Sequence, residues 1–150
     1  MHVYIHIPFC REKCPYCKFA LTPVFDEFKK KRYIAYLKNE LLQWINQNSI
    51  IQTLYFWWWT PSVLSLDEVD DILSVIPQRE DREEISFESN PEDITTEYAK
   101  WLFNRGINRL SLWVQTLNDR SLKEVHRSSK RSIFDALNAI HLALNEPGKK

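Results

Sequence analysis

The sequence predicts an α/β domain of about four βα units on a parallel sheet, forming part of a larger architecture. Three observations carry this. Short runs rich in β-branched and aromatic residues alternate with stretches of helical period, the pattern of βαβ units. Four such units cannot close a barrel, and an open parallel sheet leaves bare edges. The last predicted helix runs straight into Glu146-Pro147-Gly148-Lys149-Lys150 with no strand after it. The expectation is that residues 1–150 are a partial core domain, lacking a C-terminal portion.

Each element has its own justification. Val3-Tyr4-Ile5-His6-Ile7 reads as the first strand and is stopped by Pro8. A helix is predicted from near Asp26, with Ile34, Leu37, Leu41 and Ile45 at helical spacing. Ile51 to Phe56 is the second strand. Ser65-Leu66-Asp67-Glu68 has the form of a capping box, and Val69, Ile72, Leu73 and Ile76 give the following helix its apolar stripe. Ile85 to Glu88 is the third strand, with a helix from about Thr95 to Arg105 ended by Gly106. Asn108 to Leu112 is the fourth. A short helix near Asp119–Val125 follows, then a longer one opened by Ser132 with Ile133, Leu137, Ile140 and Leu144 on one face.

Composition narrows the partners. Apolar residues make up 44% and charged residues 27%, ordinary globular usage. Lys+Arg and Asp+Glu balance at 20 each, which argues against a nucleic-acid or anionic-membrane partner. The densest basic run, Lys29-Lys30-Lys31-Arg32, reads as a solvated helix face. No apolar run is long enough to span a bilayer, and Met1-His2-Val3-Tyr4 carries no signal-peptide pattern. Three cysteines within eight residues suit a metal site in a reducing compartment better than a disulfide framework, so a cytoplasmic location is expected.

Those cysteines form C-x3-C-x2-C at Cys10, Cys14 and Cys17, in the loop after the first strand. A compact loop of three thiolates can hold three corners of an iron–sulfur cubane and leave one iron open. Other readings stand beside it. Zinc would need a fourth ligand such as His2 or His6. Cys14-Pro15-Tyr16-Cys17 also has the form of a thiol–disulfide motif, although Pro23 follows closely and Cys10 would then have no role. Three inert buried cysteines are the blandest alternative.

The stretch "YIHIPFCREKCPYCKF" (residues 4–19), with "TPS" (60–62), "ESNPEDIT" (88–95) and "INRLSLWVQTLND" (107–119), resembles radical S-adenosylmethionine (SAM) proteins of the coproporphyrinogen oxidase family. The resemblance implies an incomplete parallel β/α barrel, with Cys10, Cys14 and Cys17 holding a [4Fe–4S] cluster whose fourth iron is chelated by SAM. It places Tyr4 near SAM and Glu88 on its ribose. Gln115 and Arg127 contact SAM polar groups, and residues 57–60 form the loop beside its amino group. It also implies heme or a porphyrinogen as ligand, and a hemoprotein acceptor if the chain is a chaperone.

The sequence departs from that family in one conspicuous respect. Where the family has Gly-Gly-Gly-Thr-Pro and Ser-Leu-Gly-Val-Gln, this chain has Trp57, Trp58, Trp59 and Trp113. It holds only 2 glycines in 150 residues, against about ten at ordinary usage. Four indoles would fill the cofactor's space and strain a loop suited to glycine. Restoring the four leaves Trp44 and Trp101. In "HRSSKR" (126–131), His126 stands at a family glycine and Ser129 at a family histidine. His126 and His141 are candidate heme ligands, with helix-surface histidines as the plainer reading.

Oxygen-independent oxidases of the family carry a further cysteine two residues past the third ligand and a long segment before the first strand. Here Phe19 occupies that position and the strand begins at Val3. Both features resemble the heme chaperone branch, which need not turn over a substrate. The alternatives are a true coproporphyrinogen III oxidase and a non-functional fragment. The four tryptophans generate a hypothesis of their own: UGA codons read as tryptophan where the source lineage reads them as glycine, with a deliberate glycine-to-tryptophan replacement as the rival and native core residues as the plainer reading. Sequencing the coding DNA is expected to show UGA at positions 57, 58, 59 and 113, and UGG there ends the idea.

Overall fold

The computed structural model describes residues 1–18, 22–23, 26–46, 49–57, 60–77, 83–127 and 130–145. Along the chain run β1 (His2–His6), β2 (Phe9–Cys10), β3 (Thr22–Pro23), α1 (Glu27–Trp44), β4 (Thr53–Trp57), α2 (Leu66–Leu73), β5 (Glu84–Ser89), α3 (Thr96–Asn104), β6 (Arg109–Leu112), α4 (Asp119–Glu124) and α5 (Lys130–Leu144). Single 3-10 turns at Pro61–Val63 and Pro91–Asp93 follow β4 and β5. The predicted α/β class and alternation hold. The first two strands sit one or two residues away from their predicted limits, and α5 starts two residues before Ser132. The two-residue strands β2 and β3 were not predicted.

β1, β4, β5 and β6 form one sheet in chain order, with every pair parallel. Crossovers of one hand that always step in one direction lay their helices on one face of a sheet. The burial pattern agrees. Alternate residues Ile5, Leu54, Phe56, Ile85 and Phe87 are buried with Ile34, Leu37, Leu41, Val69, Ile72, Ala99, Leu102, Ala136 and Ala139 of the helices. Phe56 and Phe87 are wholly buried with ring centroids 5.5 Å apart, and each such ring contributes about 2–3 kcal/mol. The other alternation is polar and aromatic. In register across the sheet lie Tyr4, Tyr55, Ser86 and Arg109, then His6 beside Trp57 and Glu88 beside Ser111.

The helix ends follow the local chemistry. Asp26 caps α1 by accepting from the Lys29 N–H, and Thr95 caps α3 through the Tyr98 N–H. Ser65 and Glu68 close the predicted capping box on α2. At the end of α3, Gly106 (φ +81°) donates to Phe103 O while Ile107 N donates to Leu102 O. This is a Schellman ending with glycine in the left-handed position. The end of α4 repeats it with a histidine: His126 (φ 57°) bonds to Lys123 O and Arg127 N to Leu122 O.

One expectation fails within the basic run. Lys30 is not on a solvated face but is 5% exposed, with its ammonium 3.1 Å from both Glu27 and Glu68. The i, i+4 geometry of α1 turns this one member of the run inward against α2, where two carboxylates meet it. Burial pulls the ammonium pKa down, but the two carboxylates outweigh burial and leave it above the usual lysine value. Lys30→Met is expected to cost about 1–2 kcal/mol in urea unfolding at neutral pH. Because the folded value is raised, that gap is full at neutral pH and closes only as pH climbs through the alkaline lysine range. A gap of zero at pH 7 contradicts this account.

Candidate functional site

The C-terminal ends of the parallel strands, where β/α architectures gather their sites, carry most of the residues singled out in the sequence. β1 ends at His6, and Pro8 releases the chain into the cysteine loop. β2 pairs with β3 (Phe9 with Thr22, Cys10 with Pro23), which draws the two ends of the loop together. Inside it the Cys17 N–H donates to Cys14 O at 2.9 Å, closing a tight turn between the last two cysteines. All three cysteines are free thiols of intermediate exposure.

A cleft of about 370 Å³ opens beside them, lined by Cys10, Cys14, Arg11, Asn90, Glu92 and Arg127 among others. Arg127 is well inside it. Its side chain is only 11% exposed, and one guanidinium nitrogen donates to Asn90 Oδ1 at 2.6 Å and to Trp113 O at 3.0 Å, with Glu92 at 3.7 Å. An arginine held this way is not a solvated surface charge. Glu88 is buried at 8% exposure on β5. Burial raises the Tyr4 hydroxyl pKa, and the Glu88 carboxylate pushes it the same way, so the two share one electrostatic neighbourhood. The Tyr16 phenol is pushed up to about 12, first by burial and then by its hydrogen bond to Cys14.

Beneath the cysteine loop lies a polar layer of which only Thr60 was singled out from the sequence as a site residue. Arg11 reaches Asp93 Oδ1 at 2.9 Å, and Ser62 donates to Asp93 Oδ2 at 2.7 Å. Asn90 N donates to Ser62 Oγ at 3.3 Å, Asn90 Nδ2 to Thr60 Oγ1 at 3.3 Å, and Thr60 Oγ1 lies 3.4 Å from Cys10 Sγ. Thr60, Ser62 and Asn90 are each at most 5% exposed, and the Asp93 side chain is 4% exposed. The path runs from Cys10 through the two segments after β4 and β5 and returns at Arg11, next to Cys10. The available signal was Pro61 and Pro91, each of which opens a 3-10 turn directly after a strand end and so fixes the small polar residues around it.

The remaining predicted residues divide. Gln115 follows β6, is exposed and takes φ 65°. Trp58, Trp59, Phe19 and Ser129 lie outside the described residues. Trp57 and Trp113 stand at the ends of β4 and β6, 43% and 41% exposed. Neither takes a left-handed φ, since among the described non-glycine residues that conformation is confined to Gln115 and His126. The expected backbone strain is therefore not met at these two, and any conflict there is one of bulk. Trp101 packs partly buried beside Tyr98 and under Arg105, whereas Trp44 is 75% exposed. His2, at the opposite end of β1 from the cysteines, is engaged by Thr53 at 2.8 Å. His141 contacts Asn145 on the surface of α5, and His126 Nδ1 lies 3.1 Å from Glu12.

Three thiols are the donor set an iron–sulfur cubane takes. Among the described residues, however, no three His, Cys, Asp or Glu side chains are drawn together closely enough to hold a metal ion. No helix is long and apolar enough to cross a membrane among the described residues.

Comparison with known proteins agrees with this arrangement. The Radical SAM superfamily matches residues 4–147. The heme chaperone HemW of Buchnera aphidicola (subsp. Acyrthosiphon pisum) is 37% identical over 146 residues, covering 92% of this chain and 38% of that one. The oxygen-independent coproporphyrinogen III oxidase of Helicobacter pylori strain J99 is 35% identical over 134 residues, 85% of this chain and 29% of that protein. The solved coproporphyrinogen III oxidase HemN of Escherichia coli, described as a radical SAM enzyme, superimposes with a TM-score of 0.80 at 26% identity, over 92% of this chain and 33% of that one. The chain thus spans between about three tenths and two fifths of the length of these relatives. Its parallel α/β sheet matches the HemN radical SAM fold, and the chain belongs to the Radical SAM superfamily.

Proposed function

We propose that this chain is the cluster-binding part of a cytoplasmic heme chaperone. Cys10, Cys14 and Cys17 would hold a [4Fe–4S] cluster, and the rest of the barrel would lie in a C-terminal portion. The observation that carries this reading is the position of the free C-x3-C-x2-C loop. It sits on the strand-end side of a parallel sheet, with Cys10 and Cys14 opening onto the cleft that holds Arg127. A bound cubane supplies one-electron chemistry and an open iron corner. The chain's own part is to present three sulfurs from one loop, keep a cation at the cleft wall, and bury Glu88 close by.

The residues proposed for SAM are Tyr4, Thr60, Glu88, Gln115 and Arg127, with the backbone of Trp58 and Trp59. Fit is poorer here than for the cluster. Trp57 and Trp113 put two large indoles at the ends of β4 and β6, either side of β5, and Arg127 is already committed to Asn90 and to Trp113 O.

Similarity to several HemW chaperones supports the chaperone reading, together with Phe19 where the oxidases have a further cysteine. The oxidase reading is favoured by the Helicobacter relative and by the match to HemN. Heme binding without conversion of coproporphyrinogen supports the chaperone, and turnover with SAM and a reductant supports the oxidase.

Two outcomes are expected. Anaerobic reconstitution of the chain with iron and sulfide gives a brown protein with a reduced-state EPR signal, and Cys10→Ala, Cys14→Ala or Cys17→Ala each abolishes it. A signal that survives all three replacements would falsify the ligand assignment. Replacing Trp57, Trp58, Trp59 and Trp113 together by glycine is expected to tighten SAM binding at least about tenfold in calorimetry, the scale of relieving about 1.4 kcal/mol of steric conflict. Equal affinity in both forms rules out bulk as the obstacle.

A further inference from the structure

We infer that Thr60 donates a hydrogen bond to the sulfur of Cys10, and that the Arg127–Asn90 pair leaves the hydroxyl proton available for it. Hydrogen positions follow here from donor and acceptor inventories. Arg127 has only donors, so the Asn90 atom 2.6 Å from it is the carbonyl oxygen. The other end of that amide is then NH2, which donates to Thr60 Oγ1 at 3.3 Å. With that lone pair occupied, the single hydroxyl proton of Thr60 is free for its other neighbour, Cys10 Sγ at 3.4 Å.

The sulfur decides the direction. Cys10 has one proton, and it is given to Glu12 O at 3.0 Å. Toward Thr60 the sulfur can only accept. The inventory starting at Arg127 leaves the Thr60 proton available, and the one starting at Glu12 fixes the polarity of the contact. Thr60 is 1% exposed and Asn90 5%, so water does not compete for the hydroxyl.

This makes Thr60 a positioning residue that acts through Cys10, and Asn90 the residue that orients Thr60. The hydrogen bond itself concerns the metal-free chain. Its bearing on a cluster rests on the reading under Proposed function. A donor to a ligating sulfur stabilises the more negatively charged, reduced cluster and raises its potential.

The test has two arms. In the isotope-labelled, metal-free, reduced 150-residue chain, NMR is expected to show a slowly exchanging Thr60 hydroxyl proton with a cross-peak to the Cys10 β-protons. Thr60→Ser keeps the cross-peak. Asn90→Asp loses it, because a carboxylate accepts from the hydroxyl and turns it away from sulfur. A fast-exchanging hydroxyl in the parent chain, or a cross-peak unchanged by Asn90→Asp, overturns the inference. In the second arm the iron- and sulfide-loaded chain is titrated redox-wise. Thr60→Val is expected to shift the midpoint negative while Thr60→Ser does not, and equal midpoints overturn the inference for the loaded state. If no cluster loads at all, the ligand assignment of the preceding subsection falls, and the hydroxyl cross-peak still decides this one.

Discussion

Everything in this domain follows from four parallel strands laid side by side in chain order. That order commits one face of the sheet to helices and leaves the other to polar and aromatic side chains. Parallel alignment also sends every strand's C-terminal end to the same edge. Residues far apart in sequence, such as Cys10, Thr60, Asn90 and Trp113, become neighbours there without any long loop having to reach across. The apolar face supplies the stability that lets the edge carry buried polar groups.

The buried polar groups at that edge are satisfied by one another. Asp93, Ser62, Asn90 and Thr60 would each be costly alone in a low-dielectric setting, yet each has a partner within 3.3 Å. Two charged ends complete the set, Arg11 on Asp93 and Arg127 on Asn90. The cysteine loop is therefore fastened to the 3-10 turns after β4 and β5, although among its described residues the secondary structure amounts to the two-residue strands β2 and β3. Exposed loops usually place ligands loosely; this one is moored from below.

Much of this was legible in the sequence, for identifiable reasons. The capping box at Ser65 and the glycine stop at Gly106 are local, so a few adjacent residues determine them, and both occur as read. The cysteine spacing and the strand–helix alternation are equally local. Lys30 was misread because its environment depends on Glu68, which only the packing of α2 on α1 brings to it. β2 and β3 escaped because two-residue bridges have no period to detect. Asn90 and Asp93 sat inside a recognised stretch, but nothing one-dimensional distinguishes a polar residue that pairs across strands from one that faces water. Arg127 was selected by resemblance, whereas the reason it is buried is spatial.

The histidine-terminated end of α4 has a consequence for where Arg127 goes. A left-handed His126 costs about 1–2 kcal/mol relative to glycine, yet it stops the helix and turns the backbone so that the next residue heads toward Asn90. Each further residue of helix would swing the following side chain by about 100°. The aim of the guanidinium thus belongs to the helix terminus as much as to the arginine: insert one residue before His126 and the same side chain, chemically untouched, would address a different quarter of the molecule.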